Sequence, residues 1–210
     1  MEKQSFIFAD KMVNEQIIAR GVKSSDVLAA LRNVPRHLFV PERLQGSAYD
    51  DSPLPIGSGQ TISQPYIVAF MTERLDLSPG MRILEIGTGS GYQAAILAYI
   101  GCEVYTIELI ESLAAEAKKT FATLKYDSIK TRHGNGYSGW PEEAPFDAVI
   151  VTAAPDRIPD ALTEQLKDGG KMIIPIGNAN SVQSLDIIIK KDGRIVQESL
   201  LPVRFVPMVE

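Results

Sequence analysis

Two hydroxyl side chains, Thr61 and Ser63, stand in the glycine-flanked stretch IGSGQTISQP at positions 56–65. A serine that attacks a substrate normally needs a neighbouring base to accept its proton. The stretch contains no histidine, aspartate or cysteine, and the histidine nearest in sequence is His37. These residue types predict a loop that orients a ligand by hydrogen bonds, or a loop without a chemical role.

A second candidate site is the glycine turn in ILEIGTGSGYQ, where Gly87, Gly89 and Gly91 follow a predicted strand and precede a predicted helix. Open α/β sheets bind nucleotides at this position, because glycine lets a ligand approach the backbone closely. The dinucleotide fingerprint requires a glycine at its sixth position, which is Tyr92 here. Glu85, two residues before the first glycine, would repel a pyrophosphate and attract a positive centre.

Glu108 ends the next predicted strand, in YTIE, at roughly the 20-residue offset from the glycine turn at which an acidic side chain accepts hydrogen bonds from ribose hydroxyls. Two carboxylates beside the turn fit a cationic adenosine derivative without phosphates. We therefore expect S-adenosylmethionine as the ligand. The alternative is a tight strand-to-helix turn that binds nothing, with Glu108 in solvent.

The elements that must position these residues alternate between strands and helices from Met81 onward. The predicted strands are RILEIG, CEVYTIE, FDAVIVTAA and KMIIPIG, and the predicted helices are SGYQAAILAYIG, LIESLAAEAKKTFATLK and IPDALTEQLKDGG. This alternation predicts a doubly wound, mostly parallel, Rossmann-like α/β sheet. The tail has two strand patterns around KKDGR, where Asp-Gly indicates a hairpin turn, and then a further short strand. The sheet is therefore expected to end in antiparallel strands.

The first part of the chain, residues 1–78, is predicted to be a helical cover over a core of residues 79–210. Helices are predicted at Met12–Ala19, in SSDVLAALRNVP and in YIVAFMTERL, and the turn-rich YDDSPLPIGSGQTISQP separates the last two. No strand pattern in this part is strong enough to start a sheet. Because no linker divides the chain, residues 1–210 are expected to form a single domain.

Composition excludes several classes of function. A net charge of −5 argues against binding of a phosphate backbone. The single cysteine, Cys102, cannot form an internal disulfide, and two histidines without a cysteine cluster make a metal site improbable. The apolar runs are too short to span a bilayer, and the first residues lack the pattern of a secretory signal. We expect a cytoplasmic monomer without nucleic-acid or membrane partners.

Six segments carry a family resemblance over nearly the whole chain, from about Val27 onward. They are VPRHLFVP, LPIGSGQTISQPYIVAFMTERL, ILEIGTGSGYQAAILA, GNGYSGWPEEAPFDAVIVTAA, LKDGGKMIIPIG and VRFVPMV. In this order they resemble the protein-L-isoaspartate O-methyltransferases. The GSGQTISQP and GNGYSGWPEEAPFD blocks resemble this family specifically, whereas the glycine turn is shared with class I methyltransferases in general.

The resemblance implies transfer of a methyl group from S-adenosylmethionine to the free α-carboxylate of an L-isoaspartyl residue, with S-adenosylhomocysteine as the product. The substrates would be damaged peptides and proteins. The ester then closes unaided to a succinimide, whose hydrolysis returns part of the material to normal aspartate. Protein repair is the implied function.

The resemblance also implies which residues form the site. Ser63 falls on the position of the active-site serine, with Thr61 beside it, and a neutral hydroxyl can orient a carboxylate that is already ionised. The implied cofactor-binding residues are Gln60, Thr61, Ile62, Ser63, Glu85, Gly87, Thr88, Gly89, Ser90, Gly91, Glu108, Leu109, Asn135, Gly136 and Thr152.

Asn135 departs from the family pattern, which has Gly-Asp-Gly where this chain reads Gly134-Asn135-Gly136. The aspartate of the family is expected to accept a hydrogen bond from the adenine amino group. Asparagine keeps a carbonyl acceptor at similar reach. Adenine recognition is therefore expected to survive the change.

Other functions stay open at this point. A class I methyltransferase for a small molecule would have the same glycine turn and Glu108, and so would a protein that binds S-adenosylmethionine without catalysis. A nicotinamide dehydrogenase is disfavoured by Tyr92. Arg204, in VRFVPMV, is a candidate either for meeting the substrate or for covering a sheet edge.

Overall fold

The structure is a computed structural model that describes residues 2–178 and 181–210. The α-helices are α1 (Glu2–Met12), α2 (Ser25–Asn33), α3 (Pro65–Arg74), α4 (Tyr92–Tyr99), α5 (Glu111–Leu124) and α6 (Asp160–Glu164). The strands are β1 (Leu54–Gly57), β2 (Gln60–Ile62), β3 (Arg82–Ile86), β4 (Glu103–Glu108), β5 (Lys130–His133), β6 (Phe146–Val151), β7 (Leu166–Ile176), β8 (Gln183–Lys191) and β9 (Arg194–Val203).

Seven strands form one sheet in the order β5-β4-β3-β6-β7-β8-β9. The pairs from β5 to β7 are parallel, and β7-β8 and β8-β9 are antiparallel. Strands β3, β4 and β6 are buried almost throughout, as expected for strands that are covered on both faces. The predicted doubly wound sheet with antiparallel C-terminal strands is confirmed.

The strand order reverses at β3, which lies between β4 and β6. In open α/β sheets a crevice forms at such a switch point, outside the carboxyl ends of the strands. The glycine turn predicted from the sequence directly follows β3 and so lies at this crevice.

The N-terminal helices pack onto the sheet through one continuous hydrophobic cluster, which includes Leu31 and Met71 of the cover and Ile83 and Ile150 of the sheet. The predicted helix at Met12–Ala19 begins earlier, as α1, and continues past Met12 as a π-helical and then a 3-10 turn. None of the helices in the described part of the chain is long and apolar enough to cross a membrane.

The prediction that no strand of the cover starts a sheet proved wrong, because β1 and β2 form an antiparallel hairpin, a two-stranded sheet of its own. Gly57, Ser58 and Gly59 all have positive φ, at 105°, 50° and 72°. This tight reversal, for which glycine is favoured, brings Pro55 opposite Thr61. The predicted loop is therefore a short hairpin followed by the segment that carries Ser63.

The helix predicted over IPDALTEQLKDGG is also shorter than expected, since α6 ends at Glu164 and β7 begins at Leu166. The Lys190 ammonium of β8 donates to the carbonyls of Thr163, Glu164 and Leu166 at 2.8–3.1 Å. A cation that binds the last carbonyls of a helix stabilises its end. Strand β7 includes both glycines of this segment, which lie between Leu166 and Lys171, where the register with β6 shifts.

The strands differ from the prediction at two further places. Strand β5 was not predicted, since its sequence, KTRH, is polar and its residues are exposed or half-buried at the sheet edge. The further strand predicted after β9 is absent from the described residues. The end of the chain instead makes an isolated bridge between Pro207 and Ala154.

Candidate active site

The glycine turn packs directly against the end of β6. Gly87 has φ of 94°, and a Cβ at this position would lie 2.4 Å from Oγ1 of Thr152. The Thr152 hydroxyl donates to the carbonyls of Ile86 and Gly87 at 3.0 and 2.7 Å. Only glycine satisfies both the positive φ and this close approach. The start of the turn is therefore fixed to the neighbouring strand.

Glu108 is held beside the same turn by two backbone donors. Its Oε2 accepts from the N–H of Gly89 at 2.8 Å, and its Oε1 accepts from the N–H of Ile110 at 2.9 Å. The side chain is 6% exposed. Each carboxylate oxygen has a further acceptor site, so Glu108 can accept from ribose hydroxyls without moving.

Glu85 does not line the cleft, although it was predicted to bind the cofactor. It is fully buried, and one of its oxygens accepts from the Thr106 hydroxyl while Oε1 has no partner. Burial raises the pKa of Glu85 to about 8. The hydroxyl of Thr106 lies 2.6 Å from the hydroxyl of Thr88, and Thr88 does line the cleft. Hydrogen bonds through the hydroxyls of Thr106 and Thr88 thus connect Glu85 to the cleft. A role of Glu85 toward the cofactor stays a prediction.

The cleft at the carboxyl ends of β3 and β4 encloses about 940 Å³, part of which is open solvent. Its walls are largely apolar and include Ile86, Ile107, Leu109 and Ile110. No lysine, arginine or histidine of the described residues lines it. The Glu108 carboxylate and the apolar wall fit an adenosine with a positive centre, whereas no cation among the described lining residues would offset the charge of a phosphate. The lining thus fits S-adenosylmethionine.

The β1–β2 hairpin lies across this cleft. A Cβ on Gly89 would lie 3.4 Å from Cδ1 of Ile56, so the hairpin packs on the glycine turn. At the hairpin tip, the hydroxyl of Ser58 lies 3.5 Å from that of Ser112 in α5. The hairpin therefore forms a roof between the turn and the start of α5.

The structure brings most of the predicted cofactor residues to one cleft. Those that line it are Gln60, Thr61, Ile62, Ser63, Gly87, Thr88, Gly89, Ser90, Glu108, Leu109, Gly136 and Thr152. Glu85, Gly91 and Asn135 do not line it.

Asn135 shapes the loop beside the cleft. Its Oδ1 accepts from the N–H of Tyr137 at 2.8 Å and caps a 3-10 turn at Gly136–Ser138. Gly136 lines the cleft directly. The oxygen of Asn135 thus already has one donor and keeps one further acceptor site.

A second cleft adjoins the first and shares Thr61, Ser63 and Val206 with it. It encloses about 1260 Å³, part of which is open solvent, and Arg204 also lines it. Among the side chains that the structure describes, neither the Thr61 nor the Ser63 hydroxyl has a hydrogen-bond partner. Both hydroxyls are thus available to a molecule that lies between the two clefts.

The C-terminal segment, residues 204–209, is a wall of the site that the sequence did not predict. Residues Val206, Pro207, Met208 and Val209 line the first cleft. Buried Gln183 holds this segment, since its Oε1 accepts from the N–H of Phe205 at 2.6 Å and its Nε2 donates to the carbonyl of Phe205 at 3.1 Å. The apolar run in VRFVPMV is the one signal in the sequence that such a tail is covered.

A mostly parallel sheet whose central strand ends in a glycine turn tied to an acidic residue on the next strand is the architecture of class I S-adenosylmethionine-dependent methyltransferases. The family model described as protein-L-isoaspartate (D-aspartate) O-methyltransferase matches residues 9–210. The chain belongs to this family.

Individual relatives agree with the family model. The protein-L-isoaspartate O-methyltransferase of Opitutus terrae is 54% identical over 198 residues, which cover 94% of this chain and 85% of that protein. That of Gloeobacter violaceus is 52% identical over 197 residues, covering 94% and 96%. A solved structure from Plasmodium falciparum, described as a protein-L-isoaspartate O-methyltransferase in complex with S-adenosyl-L-homocysteine, has a TM-score of 0.83 and 30% identity, and covers 96% of this chain and 98% of that chain.

Proposed function

We propose that this chain is a protein repair enzyme that methylates the free α-carboxylate of L-isoaspartyl residues in damaged peptides and proteins. One observation carries the proposal in addition to family membership. Two unpartnered hydroxyls, on Thr61 and Ser63, stand where the cofactor cleft meets a second cleft, and the cofactor cleft has no basic side chain among its described lining residues.

The lack of a base suits an acceptor that is already ionised. A carboxylate has a pKa near 4, so at neutral pH it needs no proton removed before it attacks. The Ser63 hydroxyl donates a hydrogen bond that orients the acceptor, with Thr61 beside it. A neutral donor stabilises the carboxylate less than a cation would, and so leaves more of its nucleophilicity.

The cofactor cleft has a separate task. When bound, S-adenosylmethionine supplies an electrophilic methyl group. Glu108 accepts from the ribose hydroxyls, the glycine turn lets the ligand approach the backbone, and the β1–β2 hairpin covers the ligand from solvent. Holding two reactants at near-attack distance supplies much of the acceleration.

We propose that the second cleft holds the chain on either side of the isoaspartyl residue. Pro53, Gln64 and Phe205 contribute to its lining. Arg204 is the one cation among its described lining residues. It stays a candidate both for contact with the substrate and for covering a sheet edge. Repair has to act on varied sequences, so we expect contacts mainly to the peptide backbone.

We further propose that the enzyme works in the cytoplasm as a monomer. Cys102, the single cysteine of the chain, is free and buried, which suits a reducing compartment. Size-exclusion chromatography with light scattering tests the monomeric state, and a dimer mass would contradict it.

The proposed substrate is tested with two peptides that differ only in an isoaspartyl or an aspartyl linkage at one position. We expect methyl transfer from S-adenosylmethionine to the isoaspartyl peptide alone. Methylation of a small carboxylic acid in preference to the peptide would favour the small-molecule alternative. Tight binding of S-adenosylhomocysteine without any methyl transfer would favour a binding protein.

A further inference from the structure

Arg36 is a charged side chain that is fully buried, with 0% of its surface exposed. Its Nε donates to the carbonyl of Ala48 and its Nη2 to the carbonyl of Ser63, each at 2.7 Å. The guanidinium lies over the ring of Tyr92, 4.9 Å from the centroid. Nη1 has no hydrogen-bond partner. The cation is therefore held by two carbonyls and an aromatic face.

Packing alone does not explain an arginine at this position. Arg36 has no carboxylate partner among the described side chains, and burial lowers its pKa. A buried ion without a counter-ion costs several kcal/mol, and apolar side chains of similar volume often fill such a position at lower cost. What an apolar side chain cannot do is hold two separate carbonyls in a fixed geometry.

The partners of Arg36 belong to both halves of the site. Ser63 follows β2 and lines both clefts, whereas Tyr92 is the first residue of α4, directly after the glycine turn, and lines the cofactor cleft. Ala48 lies just before the hairpin. One rigid guanidinium thus joins the backbone that carries the acceptor hydroxyl to the helix beneath the cofactor.

We propose that Arg36 is a positioning residue, which fixes the backbone of Ser63 against the start of α4 and so sets the distance between the acceptor hydroxyl and the cofactor cleft. The inference rests on the role proposed above for Ser63. A displacement of about 1 Å at such a site can reduce turnover by about 100-fold. Arg36 would act through this distance without touching either reactant.

Two variants of the full-length protein separate this role from simple stabilisation. Arg36→Lys keeps the charge but loses the planar fork, and Arg36→Met removes the charge at similar length. The matched control is Lys190→Met, which removes a side chain that also donates to several backbone carbonyls but lies at the end of α6. The wild-type protein and the three variants are compared well below their melting temperatures.

Two measurements read the proposed role. With an isoaspartyl peptide, we expect kcat of Arg36→Lys to fall by about 10- to 100-fold, with Kd for S-adenosylhomocysteine changed less than about threefold by calorimetry. Amide hydrogen exchange measures how firmly the loop is held, independently of catalysis. In Arg36→Lys we expect the exchange rate of residues 60–64 to rise by about tenfold or more. Lys190→Met should lower the melting temperature and leave both readings unchanged.

A folded Arg36→Lys protein with unchanged exchange in residues 60–64 would overturn the proposal. So would a kcat of Arg36→Lys that equals the wild-type kcat when both proteins are measured at the same lower temperature. If Arg36→Met does not fold, the lysine variant alone decides. Failure of the wild-type enzyme to methylate the peptide would contradict the proposed function instead, and the exchange measurement would still test whether Arg36 fixes the loop.

Discussion

The backbone N–H of Gly89 donates a 2.8 Å hydrogen bond to Oε2 of Glu108. This contact ties the glycine turn after β3 to the end of β4, the strand beside it in the sheet. A second donor, the N–H of Ile110, fixes the other oxygen. The carboxylate is therefore oriented before any ligand arrives, and such preorganisation lowers the cost of binding.

Glu108→Gln is expected to weaken cofactor binding. Glutamine has one acceptor oxygen in place of two, and its amide hydrogens would face one of the two backbone N–H groups that now donate to Glu108. The loss of a charge-assisted acceptor predicts a rise of about 10- to 100-fold in Kd for S-adenosylhomocysteine. Isothermal titration calorimetry measures it.

Glu103→Gln is the matched control for this variant, since Glu103 is exposed at the start of the same strand. Its Kd should equal that of the wild type. Equal affinity of the Glu108→Gln and wild-type proteins would remove Glu108 from cofactor binding.

Ser63→Ala is expected to separate turnover from cofactor binding. The variant loses the hydroxyl that orients the acceptor, so kcat for an isoaspartyl peptide should fall by about 10- to 100-fold. The rest of the cofactor cleft is unchanged, and Kd for S-adenosylhomocysteine should stay within about threefold. The control is Ser128→Ala in the exposed turn before β5. Unchanged turnover in Ser63→Ala would exclude this hydroxyl from the mechanism.

Asn135→Asp is expected to tighten cofactor binding modestly. An aspartate keeps the cap on Tyr137 and makes the remaining acceptor negatively charged, which strengthens a hydrogen bond from the adenine amino group. We expect Kd to fall by about two- to tenfold. Asn33→Asp adds the same charge at an exposed position of α2 and should leave Kd unchanged. Weaker binding in Asn135→Asp would show that this position does not accept from adenine.

Glu85 predicts a specific dependence of stability on pH. Burial raises its pKa from an ordinary value of 4.5 to about 8, so between these values the folded protein holds a proton that the unfolded chain has released. The contribution of Glu85 to the free energy of unfolding is fully present below pH 4.5 and is lost as pH rises to about 8. As pH rises, the free energy of unfolding of the wild-type protein should therefore fall relative to that of Glu85→Gln, by at most about 1.4 kcal/mol per pH unit.

Urea denaturation of the wild-type and Glu85→Gln proteins between about pH 5 and pH 8 measures this difference. The exposed-site variant Glu103→Gln should follow the wild type. Parallel curves for the wild-type and Glu85→Gln proteins would contradict the raised pKa.

The sequence predicted the parts of the site in which one local pattern determines the structure. The turn at Gly87 follows an apolar strand and precedes a helix, so its place in the fold could be read directly. The position of Glu108 at the end of the next strand followed from the same pattern. Both features depend on residues that are close in sequence.

The features that sequence patterns missed depend on long-range contacts. Strand β5 is polar and exists through pairing with β4. The C-terminal wall depends on Gln183 and Ala154, which bind the backbone of residues 205–208. The burial of Glu85 follows from the covering of β3 on both faces, and a carboxylate two residues before a glycine turn carries no local sign of it.

The most direct test of the proposed activity follows the fate of the methylated product by mass spectrometry. The enzyme is incubated with S-adenosylmethionine and an isoaspartyl peptide, and with its aspartyl twin in parallel. We predict a transient methyl ester on the isoaspartyl peptide, then a succinimide, and then a growing fraction of aspartyl peptide, with the twin unmodified. Equal esterification of both peptides, or a stable ester elsewhere on the peptide, would contradict methylation of the isoaspartyl α-carboxylate.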